Sequence, residues 1–420
     1  MFRSLHTRNY RLFFVGGLIS NTGVWMQRTA QSWIVLVLSG GNGFALGSAT
    51  FLQFAPVLLL SIPAGILSDR FSKINLLVVT QALMGGVSAV MAVLDATGVL
   101  ALPHVYLLAA VLGVITALDA PARQSFVSEL VGLDHVVNAI GLNSASFNVA
   151  RLLGPAVAGL VIGHLATWVL FAAHALSSVA IVSSLLRLDR TSLFEVRRSS
   201  TVRGQVVEGF RYLGRTPVLI LFVACASLLS AVGLNSLQVV LPLVATQTFQ
   251  VGAVGFGLLT ASLAVGSLLG ALLSGRAVGI PRRRWVFGTA IGFGASQMVV
   301  SVIPVYPGFA VGLAVSGLLF MSFVVAVNTS VQLTAAVEMR SRVVAAYMMF
   351  FLGGGALGAP VLGLVADQLG PRTTICCAGA VGVLVGGGCA LLLFLGGRRR
   401  ARSAVVVTGA TGAPSTSVGH

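Results

Sequence analysis

The chain has 420 residues, of which 56% are hydrophobic and 9% are charged, and its mean hydropathy is +0.98. A soluble domain carries about 25% charged residues, so most of this chain is predicted to lie in lipid. The net charge of +16 would indicate nucleic-acid binding in a soluble protein. Here the basic residues fall between apolar runs, where they orient helices, so no nucleic-acid partner is predicted.

Long charge-free stretches set the fold class. Residues 216–275 and 285–337 contain no Asp, Glu, Lys or Arg. A bilayer core about 30 Å thick is crossed by about 20 apolar residues, so each stretch holds two crossings and a turn. The whole pattern predicts an all-α integral membrane protein with twelve helices, near residues 11–38, 46–66, 75–95, 102–122, 138–163, 166–186, 217–246, 252–275, 285–304, 308–334, 343–365 and 373–396.

The arginines and lysines predict the orientation of these helices. An even number of crossings places both termini on one side, and 23 of the 26 basic residues fall on that side. Of the other three, Arg372 lies on the far side, and Arg28 and Arg151 lie inside predicted helices. The positive-inside rule then predicts that both termini are cytoplasmic and that the chain is a multi-pass protein of the plasma (inner) membrane, in contact with lipid.

The polar stretch 187–216 divides the predicted helices six and six. It predicts an N-terminal bundle over 1–186, a cytoplasmic linker over 187–216 and a C-terminal bundle over 217–396, followed by a disordered tail over 397–420. An internal repeat supports this division. The run 153–160, LGPAVAGL, is echoed by the run 357–364, LGAPVLGL. Two related bundles with a site between them are typical of alternating-access transporters.

Two local motifs resemble those of a known family. The turn after the second helix reads Gly65-Ile66-Leu67-Ser68-Asp69-Arg70-Phe71-Ser72-Lys73. It resembles the signature G-x-L-x-D-R-x-G-R-[RK] of the major facilitator superfamily, with Ser72 in place of the second glycine and Ile74 in place of the last basic residue. In the fifth helix, Gly154, Pro155 and Gly159 resemble the antiporter motif G-P-x-x-G-G. The chain is similar to the drug- and siderophore-exporting branch of the superfamily.

The chemistry of these motifs can be stated from the residues themselves. Asp69 lies at a helix end, where a carboxylate can hold the N-terminus of a neighbouring helix, and Arg70 can pair across the half-domain. With Gly65 and Lys73 they are predicted to form a conformational latch; the alternative is a solvated basic turn. Gly154, Pro155 and Gly159 permit close helix approach and bending, and packing alone also explains them.

A polar face on the first helix is the main candidate site. Asn21, Trp25 and Arg28 follow each other at helical spacing, with Gln31 close by. A charge at that depth costs about 2.5 to 3.5 kcal/mol, so Arg28 must face water or the protein interior. The family resemblance implies a cavity lined by the first, fourth, seventh and tenth helices. We therefore predict that these side chains bind cargo; a structural role for Arg28 is the alternative.

Arg151 lies about halfway along the fifth helix and needs a counter-charge or carbonyl groups. Asp119, at the end of the fourth helix, is the nearest plausible carboxylate, because Pro121 makes its i,i+4 pairing with Arg123 doubtful. Asp119 and Arg151 are the candidates for proton coupling, with a structural ion pair as the alternative. His174, on the sixth helix, is expected to be a packed neutral side chain.

The second half supplies uncharged candidates for the cavity, Asn235, Gln238 and Asn328. With Trp25, Phe147, Tyr347 and Met321 they suggest a large amphiphilic cavity suited to a lipophilic or cationic cargo, although an anionic cargo is compatible with the arginines. The four cysteines lack metal-ligand spacing, and no metal or cofactor is predicted.

The predicted function is secondary transport. The chain is expected to export a small amphiphilic organic compound, drug-like or siderophore-like, by proton antiport with alternating access. A uniporter, or a lipid or metabolite translocator without proton coupling, remains the alternative within transport. A membrane receptor or enzyme is the alternative from another class, but the chain carries no H-E-x-x-H, G-x-S-x-G or phosphate-loop motif.

Overall fold

The fold is described by a computed structural model that covers residues 3–132, 135–194, 202–274, 281, 283–336 and 339–410. Within the helices, some side chains lie outside this description, among them those of Asp69, Asn235, residues 202–207 and residues 396–410. The described chain is helical almost throughout, as expected where the backbone must satisfy its own hydrogen bonds in lipid.

Six long helices form the N-terminal half. They are α1 (Arg8–Leu38), α2 (Gly43–Arg70), α3 (Lys73–Ala96), α4 (Leu102–Val131), α5 (Val136–His164) and α6 (Trp168–Leu186). Short turns separate them, so neighbouring helices run in opposite directions. The side chain of Asn42 accepts a hydrogen bond from the amide of Ala45 at 2.8 Å and caps the start of α2.

The C-terminal half begins after a linker helix, α7 (Val202–Arg215). The seventh crossing, Pro217–Thr248, is broken into α8 (Pro217–Leu229) and α9 (Asn235–Leu243), each followed by a single π turn. Pro242 lacks the amide proton that a regular helix needs, and a π turn follows directly after α9. The remaining helices are α10 (Gly252–Ser274), α11 (Arg283–Val302), α12 (Tyr306–Thr334), α13 (Arg340–Leu369) and α14 (Pro371–Ala410).

The predicted twelve crossings are confirmed. Eleven segments of the described chain are long and apolar enough to span a membrane. Helix α1 supplies the twelfth with 31 residues, and its polar residues Asn21, Gln27, Arg28 and Gln31 lower its hydropathy. Several helices extend beyond their predicted ends: α4 continues to Val131 and α14 to Ala410, past the predicted start of the tail at residue 397. Residues 411–420 lie outside the described chain.

We call the end of the bundle at which α1, α3, α5, α8, α11 and α13 begin the basic end, and the other end the far end. At the basic end, Lys73 Nζ lies 2.5 Å from Glu129 Oε1 and joins α3 to α4. Arg342 pairs with Glu208 at 2.5 Å and fastens the linker helix α7 to α13. Lys73 therefore pairs within its own half, and its part in the predicted latch stays a prediction.

The repeated glycine motifs make equivalent contacts between the halves. In α5, a Cβ built on Gly159 would lie 2.9 Å from Gly257 Cα in α10. In α13, a Cβ on Gly363 would lie 2.1 Å from the carbonyl oxygen of Gly43 in α2. The fifth helix of each half thus packs against the second helix of the other half. Because all four residues lie in the far half of their helices, these contacts close the bundle at the far end.

Gly266 marks the tightest helix contact inside the described C-terminal half, and Gly266→Val is expected to destabilise the fold strongly. A Cβ there would lie 1.7 Å from the carbonyl oxygen of Ala314, so α10 and α12 would have to separate. We expect a loss of about 3 kcal/mol or more, at the upper end for overpacking. Gly288→Val is the control, since its Cβ meets nothing within 4 Å. Thermal unfolding monitored by size-exclusion chromatography in detergent should separate the variants; equal stability would contradict the expectation.

Candidate functional site

A large cavity lies mainly within the N-terminal half and has a volume of about 470 Å³. Residues from α1, α2, α3, α4, α5 and α6 line it, and Met321 of α12 completes it from the other half. Gln124 and Ser144 line it in the parts of α4 and α5 that lie toward the basic end, and both residues are exposed. The cavity is therefore accessible from the basic end, and its volume falls within the range of about 300 to 1,000 Å³ typical of small-molecule sites.

A smaller cavity lies between the two halves, with a volume of about 70 Å³. Its N-terminal wall includes Trp25, Gln31 and Phe54, and its C-terminal wall includes Gln238 and Phe256. Trp33 stacks on Phe256 across the halves with ring centroids 6.1 Å apart. Aromatic rings thus narrow the path from the large cavity toward the far end.

Most of the predicted polar face of α1 lies in these cavities. Trp25, Arg28 and Gln31 line the smaller cavity, whereas Asn21 and Arg28 line the larger one. Gln238 also lines the smaller cavity. Asn328 lines neither and accepts a hydrogen bond from Gln332 of the same helix at 2.5 Å. The side chain of Asn235 lies outside the described part of the chain.

Two arginines connect the cavities, since Arg28 of α1 and Arg151 of α5 line both. Both guanidinium groups lie against the Trp25 ring, with Cζ 5.0 Å and 5.6 Å from its centroid. Arg28 also lies 5.5 Å from the ring centroid of Phe54. Gly154 makes this arrangement possible, because a Cβ on it would lie 2.5 Å from Trp25 Cβ.

Asp119 takes part in a different network from the one predicted. Its Oδ2 accepts from Arg123 Nε at 2.9 Å, an i,i+4 pair that forms although Pro121 lies between the two residues. Its Oδ1 accepts from Thr80 Oγ1 at 2.8 Å and from Gln81 Nε2 at 2.9 Å. Helix α4 continues through Pro121 to Val131, so the pair that Pro121 made doubtful does form. Arg151 has no ion pair with Asp119 among the described residues.

His174 lines the larger cavity, which the sequence did not indicate. Its side chain is buried, its Nδ1 lies 2.6 Å from Ser88 Oγ, and its Nε2 has no hydrogen-bond partner within the described residues. The expected packed histidine is consistent with this burial. Gly23 of α1 leaves room for His174 and Ser177, since a Cβ on it would lie 3.1 Å from His174 Cδ2, but the sequence does not show which helix Gly23 meets.

Two other predicted residues, Tyr347 and Arg70, lie away from both cavities. Tyr347 is fully buried and lines neither cavity. Arg70, at the end of α2, is exposed at the basic end. The side chain of Asp69 lies outside the described residues, so the latch of Gly65, Asp69 and Arg70 stays a prediction. Pro155 lines the smaller cavity, and its carbonyl oxygen would lie 2.6 Å from a Cβ on Gly257.

Twelve membrane-spanning helices in two related halves, with cavities at their interface, define a transporter of the major facilitator fold. The chain matches over residues 1–400 the family described as transmembrane secretion effector, and it belongs to this family of the major facilitator superfamily. The predicted family and fold are confirmed. The family assignment also makes the chain a transporter and not an enzyme.

Relatives with stated roles are named as exporters or transporters. The chain is 28% identical over 394 residues to the multidrug efflux pump Tap of Mycobacterium tuberculosis, covering 89% of this chain and 92% of the relative. It is 28% identical over 153 residues to the staphyloferrin A transporter of Staphylococcus aureus, covering 36% of this chain and 38% of the relative.

Solved structures share the fold at low sequence identity. The nucleoside transporter NupG has a TM-score of 0.71 at 13% identity, with 92% of this chain and 99% of that chain covered. A bacterial homologue of the human lysosomal transporter Spinster has a TM-score of 0.69 at 14% identity, covering 92% and 96%.

Proposed function

We propose that the protein exports a small amphiphilic organic compound by alternating access and that this structure is its inward-open state. The observation that carries the proposal is the position of the contacts between the halves. In the described part of the chain, hydrogen bonds between the halves lie at the far end: Asp367 accepts from the amides of Gly43 and Phe44, and Gln247 donates to the carbonyl oxygen of Gly41.

The charge distribution supports the orientation. Because 23 of the 26 basic residues lie at the basic end or in the segments that continue from it, that end faces the cytoplasm in the proposed topology. The large cavity is accessible from the same end, so cargo would enter from the cytoplasm. The names of the relatives Tap and staphyloferrin A transporter support export of drug-like or siderophore-like compounds.

Counterflow in liposomes tests the transport proposal. Purified protein is expected to exchange a labelled amphiphilic dye for the unlabelled dye across the membrane, which a receptor or an enzyme would not do. The dye panel should include anionic, neutral and cationic members of similar size. Absence of exchange for every member, with the protein shown to be folded, would contradict the proposal. Exchange that never responds to a proton gradient would favour the uniporter alternative.

Asp119 is the proposed coupling group, because it is the acidic residue among the described residues that line the larger and the smaller cavity. Asp119→Asn is expected to reduce transport driven by a proton gradient by about 5- to 150-fold, the usual range of coupling between two sites. Counterflow exchange, which needs no gradient, should change much less. Asp95→Asn is the matched control, since Asp95 accepts from Thr167 at the far end and lines neither cavity. Unchanged gradient-driven transport in Asp119→Asn would remove this assignment.

A further inference from the structure

Arg28 and Arg151 form a pair of half-buried cations that no carboxylate among the described residues neutralises. Both guanidinium groups contact the Trp25 ring, yet no Asp or Glu is among the described residues that line the smaller cavity. Asp119, the acid in the larger cavity, already accepts from Arg123, Thr80 and Gln81. Arg28 Nε is buried and has no hydrogen-bond partner in the described part of the chain.

Other described cations are arranged differently. Lys73, Arg123 and Arg342 each pair with a carboxylate, Glu129, Asp119 and Glu208 respectively. The unpaired Arg340 and Arg372 lie at the first turns of α13 and α14, close to the ends of the bundle. Arg28 and Arg151 instead lie in the middle of long helices. Two like charges without a counter-ion in a medium of low dielectric constant are costly, so their retention calls for an anion.

We propose that Arg28 and Arg151 bind an anionic group of the cargo, a carboxylate or a similar oxyanion. The inference rests on the proposed export function, because it takes the cavities as the cargo site. A guanidinium group presents several donors in a planar fork that matches a carboxylate, and two such groups can hold one oxyanion from two sides. The Trp25 ring keeps both guanidinium groups in place when the anion is absent.

The linings of the two cavities fit a cargo that has a charged end and an apolar body. At 470 Å³, the larger cavity accommodates a drug-sized body, and Met84, Leu112, Phe147 and Met321 give it apolar walls. The smaller cavity, at 70 Å³, is too small for such a body, but the arginines that line it lie at the interface between the halves. The anionic group therefore binds where the large cavity meets the C-terminal half. The substrate class is an amphiphilic organic anion or zwitterion.

Equilibrium binding of a matched pair of dyes tests the anion site. We would use dansyl-aminohexanoic acid and its uncharged methyl ester with the full-length protein in lipid nanodiscs, monitoring energy transfer from tryptophan. Wild-type protein is expected to bind the acid about ten times more tightly than the ester, or better, because a charge-assisted hydrogen bond is lost in the ester. Equal affinity for the two dyes overturns the proposal without any variant.

The variants Arg28→Gln and Arg151→Gln are each expected to weaken binding of the acid by about 10- to 100-fold and to change binding of the ester by less than about 2-fold. Arg372→Gln is the matched control: Arg372 also stacks on an aromatic ring, with Cζ 5.2 Å from the Phe249 centroid, but it lines neither cavity. An equal loss for both dyes would mean that the arginines support the cavity only and would overturn the proposal.

Counterflow of the same two dyes separates this proposal from the export proposal. Preferential binding of the acid without exchange supports the anion site and contradicts the proposed transport. Exchange of both dyes, with equal affinities, overturns the anion site and leaves the transport proposal intact.

Discussion

Gly257→Val is expected to displace the protein from the state that is closed at the far end and to reduce transport strongly. A Cβ on Gly257 would lie 2.6 Å from the carbonyl oxygen of Pro155 and 2.8 Å from Gly159 Cα, both in the other half. Overpacking of this kind costs about 1 to 3 kcal/mol. A penalty of that size changes the ratio of two states by about 5- to 150-fold. In the proposed alternating-access cycle the far end closes once per turnover, so turnover should fall by a similar factor.

The distance between Leu165 and Val305 measures this displacement. Both side chains are exposed at the far end, Leu165 directly after α5 and Val305 directly before α12. A spin label attached at each position therefore places one label on each half. Pulsed electron paramagnetic resonance should show longer distances in Gly257→Val than in the parent. Gly288→Val is the control, because its Cβ meets nothing within 4 Å. Loss of transport with an unchanged distance distribution would show that Gly257 acts on folding and not on the two-state equilibrium.

Asp367→Ala is the second substitution with a large expected effect. The Asp367 carboxylate accepts from the amide of Gly43 at 2.6 Å and from that of Phe44 at 2.9 Å. One carboxylate of the C-terminal half thus holds the first turn of α2, where the helix dipole also favours a negative charge. Hydrogen bonds to a charged group contribute about 1.5 to 3 kcal/mol. Their loss should shift the equilibrium toward the outward-open state by about 10- to 100-fold.

Spin labels at Leu38 and Leu369 test this prediction, since both are exposed and lie at the far ends of α1 and α13. Asp367→Asn should have a smaller effect than Asp367→Ala, because one of the two oxygens remains as an acceptor. Asp95→Asn is the matched control: it changes a carboxylate at the same end whose hydrogen bond to Thr167 stays within the N-terminal half. Equal distance distributions in Asp367→Ala and Asp95→Asn would show that Asp367 does not hold the halves together.

The glycine and proline motifs can be recognised in the sequence, but the helices that they contact cannot. The repeat of 153–160 at 357–364 indicates two related halves. It does not indicate that Gly159 meets Gly257, or that Gly363 meets Gly43. Small residues permit close approach to any helix, so their sequence pattern is compatible with many partners. The arrangement of the halves selects one.

The candidate site was predicted only in part, because the sequence shows which residues share a helix face but not which helices meet. Helical spacing placed Asn21, Trp25 and Arg28 on one face, and the cost of a buried charge directed that face inward. The partner of Asp119 was predicted wrongly, because Pro121 weighed against an i,i+4 pair that forms in the continuous helix α4. His174 was missed as a cavity residue because its helix was expected at the lipid-facing periphery.

The amino-acid sequence alone predicts a twelve-helix membrane transporter, because apolar runs, charge-free stretches and repeated motifs can be read along the chain without knowing how its helices pack. It also determined that Arg28 and Arg151 lie within the membrane-spanning part. The folded structure shows that they share the Trp25 ring, with no carboxylate beside them among the described residues, and that Asp367 holds the far end. The contacts of Arg151 with Trp25 and of Asp367 with Gly43 join residues that are more than 100 positions apart in the chain, and the packing of the helices sets their distances.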